Sequence, residues 1–448
     1  MKKREKDKRI IVAILIALCF LSGCGFSNSE LEKIKETILE DVNSDGAIEL
    51  ADALNAHKKQ VEDTQIVNSD TESATGTKTV VDTETTPNTE ETSAKERETE
   101  DSQAEVIAEN DKRFANRFYY GLLSDSMKVV YGEIYDSIIL REEKEVSTLL
   151  TENLDIAFQC VLNDFPEIFY VSGYHYTEHT RATKTVRIVF SPDFELTEEQ
   201  VQDAQESIDE YVNTCLAGIN SGMSQYDKVK YVYDYVINNT EYDLNAPDNQ
   251  NICSVFIGKK SVCQGYAEAT EYLLQKLGFT ISIVNGYVEN GSRHAWNILS
   301  VDGNYYYLDA TWGDVDYQSV EGEDTGISKE VMPINYDYFL ITTKELEHTH
   351  QINNTVPLPA CVETKNSYYV KEGLYFEDVD TEKLSRVFDT ARANGHKAVT
   401  IKCSDDAVYQ AMRTYLLDEQ GIFCFTTNKD SVTYYDSSQM RTLCFWLD

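Results

Sequence analysis

Positive charge is scarce in this sequence relative to negative charge. Across 448 residues, Lys and Arg number 40 against 77 Asp and Glu, a formal charge of −37. A nucleic-acid binder needs a basic face to displace counterions from phosphates, so that class is excluded, and the balance fits a soluble protein repelled by anionic surfaces. Cysteine is sparse as well. The ten cysteines are too irregularly spaced for a disulfide scaffold, and no CxxC pair suggests zinc. The apolar run Ile10–Leu21 has only twelve residues, too short to cross a bilayer as a permanent helix. From Asp63 to Ala104 there is no Phe, Tyr, Trp or Leu. What remains, in a chain that is 42% hydrophobic and 11% aromatic, supplies at least one sizeable core, and the length suggests about three domains.

The first segment reads as an address. Lys2, Lys3, Arg4, Lys8 and Arg9 precede the apolar run, a secretory pattern that ends in Leu21-Ser22-Gly23-Cys24. These four residues resemble the bacterial lipobox. The resemblance implies a signal peptide over 1–23 and an acylated Cys24 as the mature N-terminus, inserted in a membrane leaflet and facing the cell exterior. Each buried methylene contributes about 0.8 kcal/mol, so two or three acyl chains hold a protein firmly. An ordinary signal peptide with an incidental cysteine is the plainer alternative.

Residues 24–62 read as a helix-loop-helix around Asp41–Asp52. Asp41, Asn43, Asp45, Glu49 and Asp52 fall at loop positions that present oxygen to a hard cation, Ala47 offers its carbonyl, and Gly46 permits the sharp turn. The loop resembles a single EF-hand of the dockerin variant. That implies calcium as ligand and, more remotely, a cohesin-type partner; an acidic loop without metal is the alternative. Residues 63–108, rich in Thr, Ser and Glu, cannot bury enough apolar surface to offset ordering entropy and are expected to be a disordered linker.

The body starts near residue 109. Helical stripes at Met127–Ile138 and Leu150–Leu162, β segments at Ile168–Tyr176 and Lys184–Phe190, and a capping box at Thr197–Gln200 opening a further helix describe an α+β region over 109–222. These stripes are core, not site.

Chemistry concentrates in 223–350. Cys263 opens a segment of helical composition, with Ser261 as the expected N-cap; unsatisfied N–H groups and the dipole in a first helical turn favour thiolate. Two strands follow, around the Asp302-Gly303 hairpin signal. A two- or four-residue loop puts His294 and Asp309 on one face as diagonal neighbours, whereas a three-residue loop would separate them. A thiolate attacks a carbonyl carbon, an imidazole shares the thiol proton and passes it to the leaving amine, and a carboxylate fixes the imidazole tautomer. The backbone N–H of Cys263 is the first candidate for an oxyanion donor, with Gln264 and Tyr242 behind it. Trp312 and Asp314 read as support.

Three segments, Ser-Val-Cys263-Gln-Gly-Tyr-Ala, Arg-His294-Ala-Trp-Asn and Tyr-Tyr-Leu-Asp309-Ala-Thr-Trp-Gly-Asp, together resemble the transglutaminase-like superfamily of cysteine enzymes. The resemblance implies an α+β, papain/transglutaminase-like core in which the helix bearing Cys263 packs on an antiparallel sheet bearing His294 and Asp309. It also implies acyl chemistry on peptide or protein amides at the cell surface, as thiol protease, amidase or amine transferase, with no cofactor for the reaction. Gln264 stands where classical tissue transglutaminases have tryptophan, which points away from protein cross-linking. A surface binding or structural module that keeps the fold without turnover is the competing reading.

Residues 355–448 read as a small α/β unit. Strands are expected near Tyr368–Val370, Ala398–Cys403, Ile422–Phe425, Val432–Tyr435 and Thr442–Leu447, and helices at Thr381–Ala393 and Asp406–Leu417, with Gly395 and Gly421 at C-cap positions. His348-Thr349-His350 offers two metal ligands without a partner cluster and reads as a solvated loop. The remaining cysteines of the body read as core filling.

Overall fold

The computed structural model describes residues 76–82, 92–181, 183–315, 317, 332–427 and 430–447. The signal segment, Cys24 and the Asp41–Asp52 loop lie outside the described residues.

Strand β1 (Gly76–Asp82) is followed by helices α1 (Thr92–Arg113), α2 (Phe118–Leu122) and α3 (Asp125–Leu140). Then come β2 (Lys144–Val146), α4 (Thr151–Asp164) and the long antiparallel pair β3 (Val171–Arg181) and β4 (Lys184–Phe194). These strands form a sheet in the order β1-β3-β4-β2. Part of the expected linker is therefore regular structure. The β-branched Thr77, Thr79, Val80 and Val81 fall in β1, which adds in parallel to the edge of β3, and the Glu-, Ala- and Lys-rich run from Thr92 extends the helix that enters the body. A segment without aromatics can borrow an existing sheet edge, which its composition does not reveal.

Helix α5 (Glu198–Leu216) opens on the expected capping box: Thr197 Oγ1 accepts from the Gln200 backbone N–H, and the Gln200 side chain accepts from the Thr197 N–H at 2.9 Å. After α6 (Gln225–Asn239), the short strands β5 (Glu241–Tyr242) and β6 (Lys260–Ser261) pair in parallel and deliver the chain to α7 (Cys263–Lys276).

The central sheet carries β7 (Ile281–Val288), β8 (Arg293–Val301), β9 (Asn304–Leu308), β10 (Phe339–Ile341) and β11 (His350–Ile352), in the order β10-β9-β8-β7-β11 and antiparallel throughout. Alternation along its strands feeds two cores. Leu299, Val301, Tyr306 and Leu308 join α5, α6 and α7 in one, while Trp296, Ile298 and Tyr307 join α3, α4, β3 and β4 in the other. This is the α+β arrangement expected, with the cysteine-bearing helix against an antiparallel sheet.

The four-residue helices α8 (Ala310–Gly313), α9 (Thr343–Leu346) and α10 (Tyr368–Lys371) punctuate the return. The C-terminal unit has its own core, centred on Leu384, Phe388, Ile401, Met412 and Leu443. It orders β12 (Tyr375–Phe376), β13 (Ala398–Cys403), β15 (Thr442–Trp446) and β14 (Tyr434–Ser437) under α11 (Thr381–Ala393) and α12 (Asp406–Arg413). Two expected strands are corrected: Tyr368–Val370 is helical, and Gly421–Cys424 is a 3₁₀ turn. Short apolar runs do not separate helix from strand by pattern alone. Gln420, not Gly421, takes the left-handed conformation at that turn, at φ 60°. The boundary expected at 350 falls inside the central sheet, since β11 begins there. Cys160, Cys215, Cys253, Cys361, Cys403 and Cys444 are buried and unpaired, and Cys424 is exposed. Among the described residues no helix is long and apolar enough to cross a membrane.

Candidate active site

The position of Cys263 follows from the loop before it. A π-helical turn at Ser254–Gly258 ends in left-handed Lys259 (φ 55°), which turns the chain into β6. Ser254 Oγ donates to the Asn251 carbonyl at 2.8 Å and lies 2.6 Å from Ser261 Oγ. This buried hydroxyl pair sits under the first turn of α7, where a Cβ on Gly265 would come within 2.0 Å of Ser261 Oγ and 2.5 Å of Ser254 Oγ. Ser261 is consequently not the N-cap. Its hydroxyl is committed to the loop, and Val262 occupies the capping position with no side-chain cap. No side chain therefore competes for the first N–H groups beside Cys263, which is the environment that favours an anion there. Cys263 is half-buried against Ala267, Ile283 and Ala295.

His294 stands near the start of β8. Val301 pairs with Asn304, so the hairpin loop is the two residues Asp302 and Gly303, both left-handed at φ 50° and 78°, the type I′ arrangement. With that register His294 and Asp309 share a face, and His294 Nε2 meets Asp309 Oδ2 at 2.7 Å. Nε2 being taken, Nδ1 is left for the sulfur, and Cys263 acts on this ring electrostatically, helping to hold its proton.

Asp309 lies one residue beyond β9 and is the N-cap of α8. Its Oδ1 accepts from the Thr311 and Trp312 backbone N–H groups at 2.9 and 3.0 Å. Its Oδ2 accepts from His294 and, at 3.1 Å, from His350 Nε2. Burial pushes this carboxyl up, but the His294 charge, its bond and the His350 bond outweigh burial and hold it well below the usual range. Burial likewise pulls the His294 imidazolium down, but Asp309 and the Cys263 thiol hold it up at about 10.

Together these features place a cysteine at an uncapped helix start beside a His–Asp pair on antiparallel strands. The model of the transglutaminase-like superfamily matches residues 213–316. That segment is a transglutaminase-like domain. Kyphoscoliosis peptidase from Mus musculus is 24% identical over 213 residues, covering 42% of this chain and 31% of that protein. The Homo sapiens protein is 23% identical over 233 residues, covering 47% and 33%. The chain thus spans about a third of the length of these curated relatives. Among solved structures, a TGase matches at TM-score 0.24 and 16% identity over 35% of this chain and 53% of that one. The periplasmic domain of TgpA from Pseudomonas aeruginosa matches at 0.21 and 16% over 31% and 59%.

Around Cys263, His294 and Asp309, Gln264 donates to Glu268 Oε1 at 2.8 Å, one turn along α7, which commits one of its two amide hydrogens within the helix. Tyr242 packs edge-on to Tyr317 with centroids 4.7 Å apart, and Tyr317 lies 6.4 Å from the His294 ring, so Tyr242 stands behind the site's aromatic wall. Trp312 packs against His294 and His350, at 6.0 and 4.7 Å. Asp314 accepts from Tyr266 OH at 2.9 Å and ties α7 to the loop after α8.

His350 corrects the sequence reading. It is buried, not solvated, on an edge strand outside the residues that the family model matches. Its only sequence signal was the pair of histidines flanking Thr349. His294, Asp309 and His350 bring three ligand atoms within 4.8 Å of one another. At 2.7 and 3.1 Å, however, they are already joined by hydrogen bonds, Asp309 Oδ1 serves two N–H groups, and His350 Nδ1 lies 2.8 Å from Thr349 Oγ1. A metal would have to displace those protons and leave the donors unpaired, so the cluster fits a hydrogen-bonded relay better than a metal centre.

Proposed function

We propose that the domain performs acyl chemistry on peptide or protein amides, with Cys263 as nucleophile, His294 as the base that becomes the acid, and Asp309 as its orienter. The reading rests on one observation, the buried His294–Asp309 pair at 2.7 Å, with the half-buried Cys263 at the uncapped start of α7 acting on the same imidazole. In this mechanism the thiol proton already resides on His294, and the thiolate attacks the carbonyl carbon. The C–N bond then breaks as His294 returns that proton to the leaving amine, giving a thioester on Cys263. Water or a second amine resolves the thioester, and His294 takes the proton of whichever attacks. The Cys263 backbone N–H is the candidate donor for the developing oxyanion. The name peptidase borne by the mouse and human relatives favours water. Attachment to the outer membrane face through acylated Cys24, and calcium at Asp41–Asp52, belong to the same proposal on sequence grounds.

Iodoacetamide labelling of the Cys263 peptide, followed by mass spectrometry across pH, is the test. Labelling proceeds below about pH 7 and slows at least ~10-fold in His294→Ala, because the imidazole no longer holds the thiol proton. A Cys263 that labels only above about pH 8, indifferent to His294→Ala, is a cysteine without a base and makes the domain a binding module.

A further inference from the structure

Beyond the three residues assigned above lies a fourth polar group that the chemistry does not use. His350 donates from Nε2 to the same Asp309 oxygen that serves His294, at 3.1 Å. On its other side Nδ1 lies 2.8 Å from Thr349 Oγ1, and Tyr338 OH lies 3.2 Å from that oxygen. The chain has one consistent polarity. Tyr338 donates to Thr349, Thr349 donates to Nδ1, and the neutral ring donates from Nε2 to Asp309. The alternative gives Thr349 the remote Leu346 carbonyl, at 3.5 Å, and makes His350 a buried cation facing His294, which burial disfavours. Trp296 and Trp312 hold the ring from two sides, at 4.9 and 4.7 Å.

We propose, on the basis of the function assigned above, that His350 is a positioning residue: its Nε2–H keeps the Asp309 carboxylate ionised and turned toward His294. Four donors fill the carboxylate, two on each oxygen, and three of them are fixed by the machinery itself. Without the fourth, Asp309 carries a vacant acceptor site in a place with 1% exposure, and burial then favours its protonated form. The proton that should reside on His294 would pass to Asp309, and the imidazole would lose the charge that supports the thiolate. The titratable groups facing this relay include Cys263 from α7, Tyr233 OH from α6 on the Asp309 carbonyl at 3.0 Å, Tyr317 with its ring 6.4 Å from that of His294, Tyr338 before β10, and Glu289 beyond the end of β7. Of these only Cys263 exchanges a proton with His294 in the proposed reaction.

The experiment measures, on the full chain, the pH at which labelling of the Cys263 peptide by iodoacetamide reaches half its plateau. Wild type and His294→Ala come first. A wild-type midpoint near that of a free thiol, about 8.5, and unmoved by His294→Ala, removes the proposed function and this inference with it. Given a lower wild-type midpoint, His350→Leu is expected to raise it by about one unit, a ~10-fold slower reaction at about pH 6. His350→Gln, which retains an N–H for Asp309, is expected to restore it to within a few tenths of a unit, about the wild-type value. A folded His350→Leu whose midpoint stays put, with only its thermal midpoint lowered, overturns the inference and leaves the proposed function standing. Should His350→Leu fail to fold, Thr349→Val takes its place. It removes the donor to Nδ1, lets the proton move to that nitrogen, and raises the midpoint in the same direction; no shift there overturns the inference equally.

Discussion

Asp309 is where capping and proposed catalysis use one carboxylate. Oδ1 closes the start of α8 and Oδ2 receives two imidazoles, so removing its charge alters a helix end and a proton relay together. Its electrostatics set a pH signature. His294 binds its proton more tightly in the folded chain, at about 10, than an ordinary imidazole does. It therefore contributes stability that is fully present below about pH 6.5 and is lost as pH rises through about 10. Asp309 is depressed, so its contribution is present above about pH 3.8 and is lost as pH falls below that. The pair thus stabilises most between about pH 4 and 6.5. In urea titrations, Asp309→Asn should fall furthest behind wild type near about pH 5, and the gap should narrow toward about pH 10. A gap that stays constant with pH would show that the two charges do not interact as the 2.7 Å contact requires.

Elements set the site where loops are tight. The two-residue turn at Asp302 and Gly303 fixes the register, and the register alone decides whether His294 and Asp309 share a face. The pairing was legible for that reason: an Asp-Gly pair between alternating apolar runs carries its geometry in a few adjacent residues. The helices Thr381–Ala393 and Thr151–Asp164 were legible from their stripes. Three-residue β11 was not, because a strand that short exists only through its pairing with β7, some sixty residues away, and His350 entered the site by that route. The support beneath α7 was hidden for the same reason, since Ser254 and Ser261 gain meaning only once the π-helical turn folds back. That support makes its own prediction. In Gly265→Ala the new methyl group meets two bonded, buried hydroxyls, and the start of α7 must lift. Thermal unfolding should show a loss of about 1–3 kcal/mol, the range for overpacking, and Cys263 labelling near neutral pH should slow; the double variant Gly265→Ala with Ser261→Gly should recover part of both. Unchanged labelling in the single variant would mean that the cysteine is not positioned from below.

In the whole molecule, a formal charge of −37 makes each buried cation expensive to lose. The C-terminal unit has its own core, yet it is fastened to the segment that flanks β10 by polar contacts that are almost wholly buried. Tyr369 OH donates to Asp337 Oδ1 at 2.7 Å, Thr442 Oγ1 donates to Oδ2 at 3.0 Å, and Lys402 Nζ from β13 meets Glu345 Oε1 at 3.2 Å. Glu345 is also the capping-box residue of α9, accepting from the Thr342 N–H at 3.2 Å, and the Thr349 N–H bonds back to Leu346 at the end of that helix. Burial pushes the Glu345 carboxyl up, but Lys402 and the Thr342 bonds hold it below its usual range. The fastening therefore runs from β13 through α9 to the residue beside His350. Removing one partner of a buried pair leaves the other unpaired, so Lys402→Ala should destabilise the chain by about 3 kcal/mol in denaturant titration. Adding Glu345→Gln, which removes the stranded charge, should return part of that loss. Because α9 leads into Thr349 and His350, Lys402→Ala should also raise the labelling midpoint of Cys263, though it lies in another unit. If stability falls while that midpoint holds, the C-terminal unit braces the fold without bearing on the relay; if both move and both recover in the double variant, the small domain helps to set the geometry of the site.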